Sequence, residues 1–183
     1  MSLTAFYGHW RIYNRLFAAA IRGMDPAELQ LQADVADPST AAHWPIWAIA
    51  AHTAGARVYW LCVRAGEPGL ERAAFVDART GEGWEDDLSK PRSADEVADA
   101  LQLSWSVIDG AIDRWTPEML AEPIAVESSQ GLVHHTRESI LIRLLMHDAY
   151  HVGEIALIQG IHGRAQLDLW PAGVHTVEAA EAR

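Results

Sequence analysis

An all-α fold built on four long helices is what this sequence predicts, on three observations. Apolar residues recur at spacings of three and four near residues 3–23, 45–65, 93–115 and 136–161. Prolines, glycines and capping residues punctuate the chain between those stretches. Between Leu120 and His135 the helical period is lost, where Pro123-Ile124-Ala125-Val126-Glu127 reads as a short strand or extended loop that Gly131 breaks.

The first helix runs from Leu3 to about Gly23, with Phe6, Trp10, Tyr13, Leu16, Phe17 and Ala20 as its inward stripe. Asp25-Pro26 with Glu28 after it favours a fresh short turn, echoed at Thr116-Pro117-Glu118 after the third helix. The second helix is expected to begin between Thr40 and Pro45, capped from Asp37-Pro38-Ser39-Thr40, and to run to about Ala65, where Gly66 ends it. The connection from Gly66 to Arg92 between helices two and three is too long for a plain bundle turn. Phe75, Val76, Trp84 and Leu88 give it apolar anchors, so partial order is expected.

Ser93-Ala94-Asp95-Glu96 is a capping box that starts the third helix, whose inward face is Val97, Leu101, Trp105, Ile108, Ile112 and Trp115. Thr136 caps the fourth, with Glu138 in its acidic first turn. At about 100° per residue, Arg143, His151 and Glu154 fall within about 40° of His147 and form one polar stripe. The other directions of that helix carry Leu141, Leu145, Met146, Val152, Ala156 and Leu157, so it is buried centrally or shared with a second subunit.

His147 and His151 stand four residues apart, on one helical face, and can reach one metal ion. A pair alone is also compatible with ordinary buried histidines. The best third ligand is His52, whose neighbours one turn away, Ala48, Ile49, Gly55 and Ala56, leave room beside the imidazole and offer nothing polar to hold it. Three imidazoles leave coordination positions open, as catalytic sites do, and the single cysteine, Cys62, cannot supply a closed thiolate set. Cys62 itself reads as a small core residue.

The phrase RLLMHDAYHVGEIALIQGIHG, preceded by one histidine near the start of an earlier apolar helix, resembles the DinB/YfiT superfamily of four-helix-bundle metalloproteins. The resemblance covers most of the chain and implies a four-helix bundle of that type, with one divalent metal held by His52, His147 and His151. It implies zinc or nickel, although three imidazoles also suit iron and cobalt. For activity it implies transfer of a low-molecular-weight thiol, or isomerisation assisted by such a thiol, on a small-molecule substrate. A Lewis-acid metal would favour the thiolate there. A metal-dependent hydrolase on the same bundle and a non-enzymatic metal or small-ligand-binding protein are the alternatives. A further rival is the HExxH zinc-protease motif, from which His147-Asp148-Ala149-Tyr150-His151 differs by one methylene. Such proteases carry a sheet for the peptide, for which this helical pattern has no counterpart.

Glu154 and Arg143 are the candidates for a direct chemical role. Glu154 fits as an orienter of a ligand histidine, as a substrate contact or as a hydrogen-bond partner of a neighbouring helix. Arg143 fits either the carboxylate of an anionic substrate or an ion pair to Glu154 or Asp148. His134 and His135 precede the fourth helix, where a pocket mouth could lie, and Trp44, Trp47 and Trp84 are candidate pocket walls.

Length and composition set the remaining expectations. At 183 residues and 50% hydrophobic, one domain over 1–183 is the default, with about 164–183 as a tail. A net charge of −11 without a basic cluster argues against nucleic acid. No apolar run suits a bilayer and the amino terminus has no signal pattern, so a cytoplasmic protein is expected, in keeping with one cysteine. The surplus apolar surface of the fourth helix, with eight tryptophans in the chain, predicts a homodimer.

Overall fold

Four long helices form where the periodic segments and their caps place them. The computed structural model describes residues 3–33, 44–128 and 131–171, with the side chains of 4–6 and 128 excepted. Helix α1 (Leu3–Arg22) buries Trp10 and Phe17 from the expected stripe, while Phe6 lies outside the described side chains. The short α2 (Pro26–Leu29) starts where Asp25 accepts a hydrogen bond from the Glu28 amide at 2.8 Å. The expected caps at residues 37–40 lie outside the described residues. Helix α3 (Ile46–Val58) begins at Ile46, with Pro45 as its N-cap residue instead of a member of its first turn. It continues as a π-helical turn over Tyr59–Arg64, and Gly66 ends it at φ +75°, a conformation that glycine adopts without a steric penalty.

The Gly66 to Arg92 connection is ordered around two 3-10 turns, Leu70–Arg72 and Trp84–Asp86. Phe75 is buried, and Val76 and Trp84 pack against the core; Leu88 is exposed and anchors nothing. Helix α4 (Ala94–Arg114) carries the Ser93/Glu96 capping box, and α5 (Pro117–Leu120) is the second proline-started turn. An entirely helical chain is not what forms. Strands β1 (Pro123–Ser128) and β2 (Gly131–Thr136) pair antiparallel, with Val126 opposite Val133 and Ile124 opposite His135. The alternating β-branched residues of 124–126 explain the strand, and the stretch from Gly131 to Thr136 is its partner, not merely the break after it. Helix α6 (Arg137–Ile161) follows directly, capped by Thr136.

The long helices share one contiguous apolar cluster, in which α4 packs on α1 and α3, and α3 on α6. A polar staple runs through its middle. Arg57, 1% exposed on α3, donates from Nε and Nη2 to the two Asp148 oxygens of α6 (3.1 and 2.8 Å) and from Nη1 to Asn14 Oδ1 of α1 (2.7 Å). It also reaches Ser104 Oγ and the Leu101 carbonyl of α4, and Trp10 Nε1 donates to Asp148 Oδ2 at 2.7 Å. Such a pair survives burial because nearly every donor and acceptor in it is satisfied.

Among the described residues helix α6 is not covered all round. Ile140, Leu141, Leu144, Ile155 and Ile158 are buried, whereas Ile142, Met146, Tyr150, Leu157 and Ile161 are exposed along one side. After α6 the chain turns back without regular structure, and the Leu167 amide donates to Gln159 Oε1. Among the described residues no helix is long and apolar enough to cross a membrane.

Candidate metal centre

His52 projects from the middle of α3, and His147 and His151 from successive turns of α6. One ring nitrogen from each lies within 4.8 Å of the others, with His52 Nε2 and His147 Nε2 at 3.1 Å. The three rings meet with centroids 4.4 to 5.1 Å apart. Nitrogens around a tetrahedral zinc ion, at bonds of about 2.0 Å, lie about 3.3 Å from one another. The triad is therefore positioned to hold a metal ion, and it brings the pair that spacing singled out, His147 and His151, together with His52, the expected third ligand.

Carboxylates fix two of the rings. His52 donates its Nδ1–H to Glu85 Oε1 at 2.9 Å, and His151 donates its Nδ1–H to Glu154 Oε2 at 2.8 Å. Each bond settles the tautomer and leaves the Nε2 lone pair free, which is the usual outer-shell arrangement of a metal-binding histidine. His147 has no such partner, and its Nδ1 is buried without a hydrogen bond. Burial, with the neighbouring His151 and His52, holds its pKa down at about 3. Burial also lowers His151, against the opposing pull of Glu154. Both rings are thus neutral near pH 7, the form that offers a lone pair to a metal.

Glu85 is the residue that sequence reasoning missed. It comes from the 3-10 turn of the long connection, is 6% exposed, and packs beside Gly55 on α3. A Cβ on Gly83 would overlap its carboxylate, so a larger residue there would push Glu85 out of this position. The Glu85→Ala variant is expected to lower metal affinity about 10- to 100-fold. Competition with a chromophoric chelator measures it; unchanged affinity would remove Glu85 from the site.

A cavity of about 320 Å³ opens beside His52 and His147. Gly55 and Ala56, the small neighbours of His52, line it as their size suggested. Its other walls are Tyr59 and Trp60 of the π turn, Thr80 and Gly81 of the connection, and Arg143 of α6. Arg143 lies over the Trp60 ring, Cζ to centroid 4.5 Å, and has no carboxylate partner among the described residues. The ion pairs considered for it do not form, because Asp148 is taken by Arg57 and Glu154 by His151. That same engagement removes Asp148 from metalloprotease-like chemistry, since its carboxylate faces Arg57 and Trp10 instead of the triad.

The candidate walls divide. Trp44 packs ring to ring with His52 at 4.6 Å, Trp47 is a core residue, and Trp84 stacks with Phe75 and Arg92 away from the cavity. Trp60, not singled out from sequence, is the tryptophan that lines it. His134 and His135 lie on β2, where His135 meets the Trp60 ring edge on at 5.0 Å and His134 is exposed. Cys62 is buried near the Pro68 carbonyl, and burial raises its thiol to about 11, as befits a core residue.

Comparison with known proteins adds to this geometry. A family model described as the DinB superfamily matches residues 9–155. No curated protein matches the chain. Among solved structures, a DinB-like protein from Bacillus cereus superposes with a TM-score of 0.60 at 17% identity, over 88% of this chain and 93% of that one. That likeness concerns the fold, and the family match spans well over half of the sequence. The chain belongs to the DinB superfamily.

Proposed function

We propose that this protein is a metal-dependent enzyme on a DinB-type four-helix bundle, which joins a low-molecular-weight thiol to a small anionic electrophile or isomerises that electrophile with the thiol's help. One observation carries the reading: of three clustered imidazoles, those of His52 and His147 open onto a cavity whose wall holds Arg143, which has no carboxylate partner among the described residues. A divalent ion bound there, zinc or nickel by preference, supplies Lewis acidity that favours a thiolate at neutral pH. Arg143, lying over the Trp60 ring, receives a substrate carboxylate, since a guanidinium fork matches that group's geometry. Glu85 and Glu154 act through His52 and His151 and position them. With both carboxylates so engaged, neither is free to serve as the general base that a hydrolase would need.

The test is spectroscopic and kinetic. Adding a low-molecular-weight thiol to cobalt-substituted protein is expected to produce sulfur-to-cobalt charge-transfer absorption, and turnover is expected only with thiol and an anionic electrophile together. His52→Ala should abolish both while circular dichroism is unchanged. Hydrolysis of simple esters or amides without any thiol would overturn the proposal in favour of a hydrolase. A spectrum that no thiol perturbs would favour a binding protein.

We also assign the exposed side of α6 to a second copy of the chain. Ile142, Met146, Tyr150, Leu157 and Ile161 follow one another at helical spacings of four and seven, a stripe that suits a two-fold helix pair. Light scattering should report twice the chain mass, falling to one in Met146→Glu. A monomer at every concentration would refute the assignment.

A further inference from the structure

Opposite the metal side, α6 borders a second cavity, of about 290 Å³, closed by α1 and by the segment around Leu167 to Trp170. Its walls are mostly apolar, among them Phe17, Leu145, Val152 and Leu169. Arg57 and Asp148 reach its floor and neutralise each other there, while Asp168 lines it as an exposed carboxylate that accepts from the Trp170 amide, so no cationic group is left over for an anion.

One polar group there is unused. Asn14 is 5% exposed, lines the cavity, and gives its Oδ1 to Arg57 Nη1. A guanidinium only donates, so the orientation of this amide is fixed and Nδ2 points away from Arg57. No acceptor meets Nδ2 among the described residues, yet it is not sealed in the packing like the other orphaned atoms. The open space that Asn14 borders is this cavity.

Gly153 stands at the rim of the opposite wall, exposed, and a Cβ built on it would meet nothing within 4 Å, so a larger side chain there can reach over the cavity. The outer wall is anchored: the Leu167 amide donates to Gln159 Oε1, Gln159 Nε2 donates to Glu28, and the Trp170 ring meets Tyr13 at 5.4 Å.

From these features we infer that the cavity is a second ligand site, separate from the triad, for a neutral small molecule with an apolar body and one acceptor oxygen, such as a ketone or amide carbonyl, that takes the Asn14 N–H. At ordinary packing density the space holds about ten to fifteen non-hydrogen atoms. The site stands whether or not the metal centre is catalytic.

Acetophenone and ethylbenzene, alike in shape but differing in the carbonyl, are the probes, titrated into the full chain by calorimetry and ligand-observed NMR. Saturable binding of both is expected in the wild type. Asn14→Asp keeps an oxygen for Arg57 and loses the donor; it should weaken acetophenone about fivefold or more, one hydrogen bond's worth, and leave ethylbenzene unchanged. Gly153→Trp fills the space from a position 200° around the helix from His151, and should abolish binding of both probes with metal content and helicity retained. Absence of saturable binding in the wild type, or undiminished binding in Gly153→Trp, would overturn the site. Equal weakening of both probes in Asn14→Asp would overturn the role of the amide. Because Gly153 lies within about 20° of Ile142 around α6, on the stripe assigned to a second copy, the same titrations are run in the Met146→Glu background; probe binding that persists in Met146→Glu/Gly153→Trp would overturn the site, and loss of binding in Met146→Glu alone would give the cavity to a second copy of the chain.

Discussion

Metal content falls from about one divalent ion per chain to near zero in His147→Ala, when both proteins are purified without chelator and analysed for metals. Three imidazoles match the protein ligand count of an open zinc site, and removing His147 leaves only His52 and His151, one from each helix. His147 is the informative choice because no carboxylate braces it, so its loss orphans no hydrogen-bonding partner outside the triad. Helicity should be retained, since alanine is the best helix former and α6 is held by residues on its other faces. Equal metal in the two proteins would remove His147 from the ligand set. Loss of metal together with loss of helicity would instead mean that the ring supports the fold.

The largest effect on stability is expected at the staple. Asp148→Ala leaves the Arg57 guanidinium in the core with neither of its carboxylate bonds, and breaking a buried pair from one side costs about 3–5 kcal/mol. That is a large fraction of the roughly 5–15 kcal/mol that holds a domain together. Arg57→Met should cost less, because the stranded Asp148 still accepts a hydrogen bond from Trp10 Nε1. The double variant Arg57→Met/Asp148→Leu should recover most of the loss, since an apolar pair of similar volume often replaces a buried ion pair without penalty. Denaturant unfolding of the wild type, Arg57→Met, Asp148→Leu and the double variant measures the coupling; a double variant as unstable as the sum of those two singles would mean the two residues contribute independently.

Much of the framework was legible because helices and caps are local. Ser93 and Glu96, Thr136, and the two Pro-started turns announce their own boundaries within four residues. The triad was legible for a similar reason on α6, where spacing alone puts His147 and His151 on one face. The hairpin was half legible, since β1 alternates visibly while β2 needs its partner to be recognised. Glu85 was not legible. It is one of four carboxylates between Glu82 and Asp87, and only the fold of the connection selects it over Glu82, Asp86 and Asp87. Tyr59 could have been read, being seven residues beyond His52 and within about 20° of it on an ideal helix. Trp60 could not, because the π turn changes the angular step where it sits. Arg57 carried a signal that went unread: one charge in an otherwise apolar helix asks for a buried counter-ion, and Asp148 is it.

The origin of the cavity walls has an evolutionary consequence. His52, His147 and His151 are set by two regular helices locked together across the core, whereas Tyr59, Trp60, Thr80 and Gly81 come from an irregular turn and a long connection. Insertions, deletions and exchanges in those segments can reshape what enters the cavity without altering the spacing of the three imidazoles. Selection acting on such a chain can therefore change what enters the cavity in small steps, keeping the three-imidazole geometry while the walls vary.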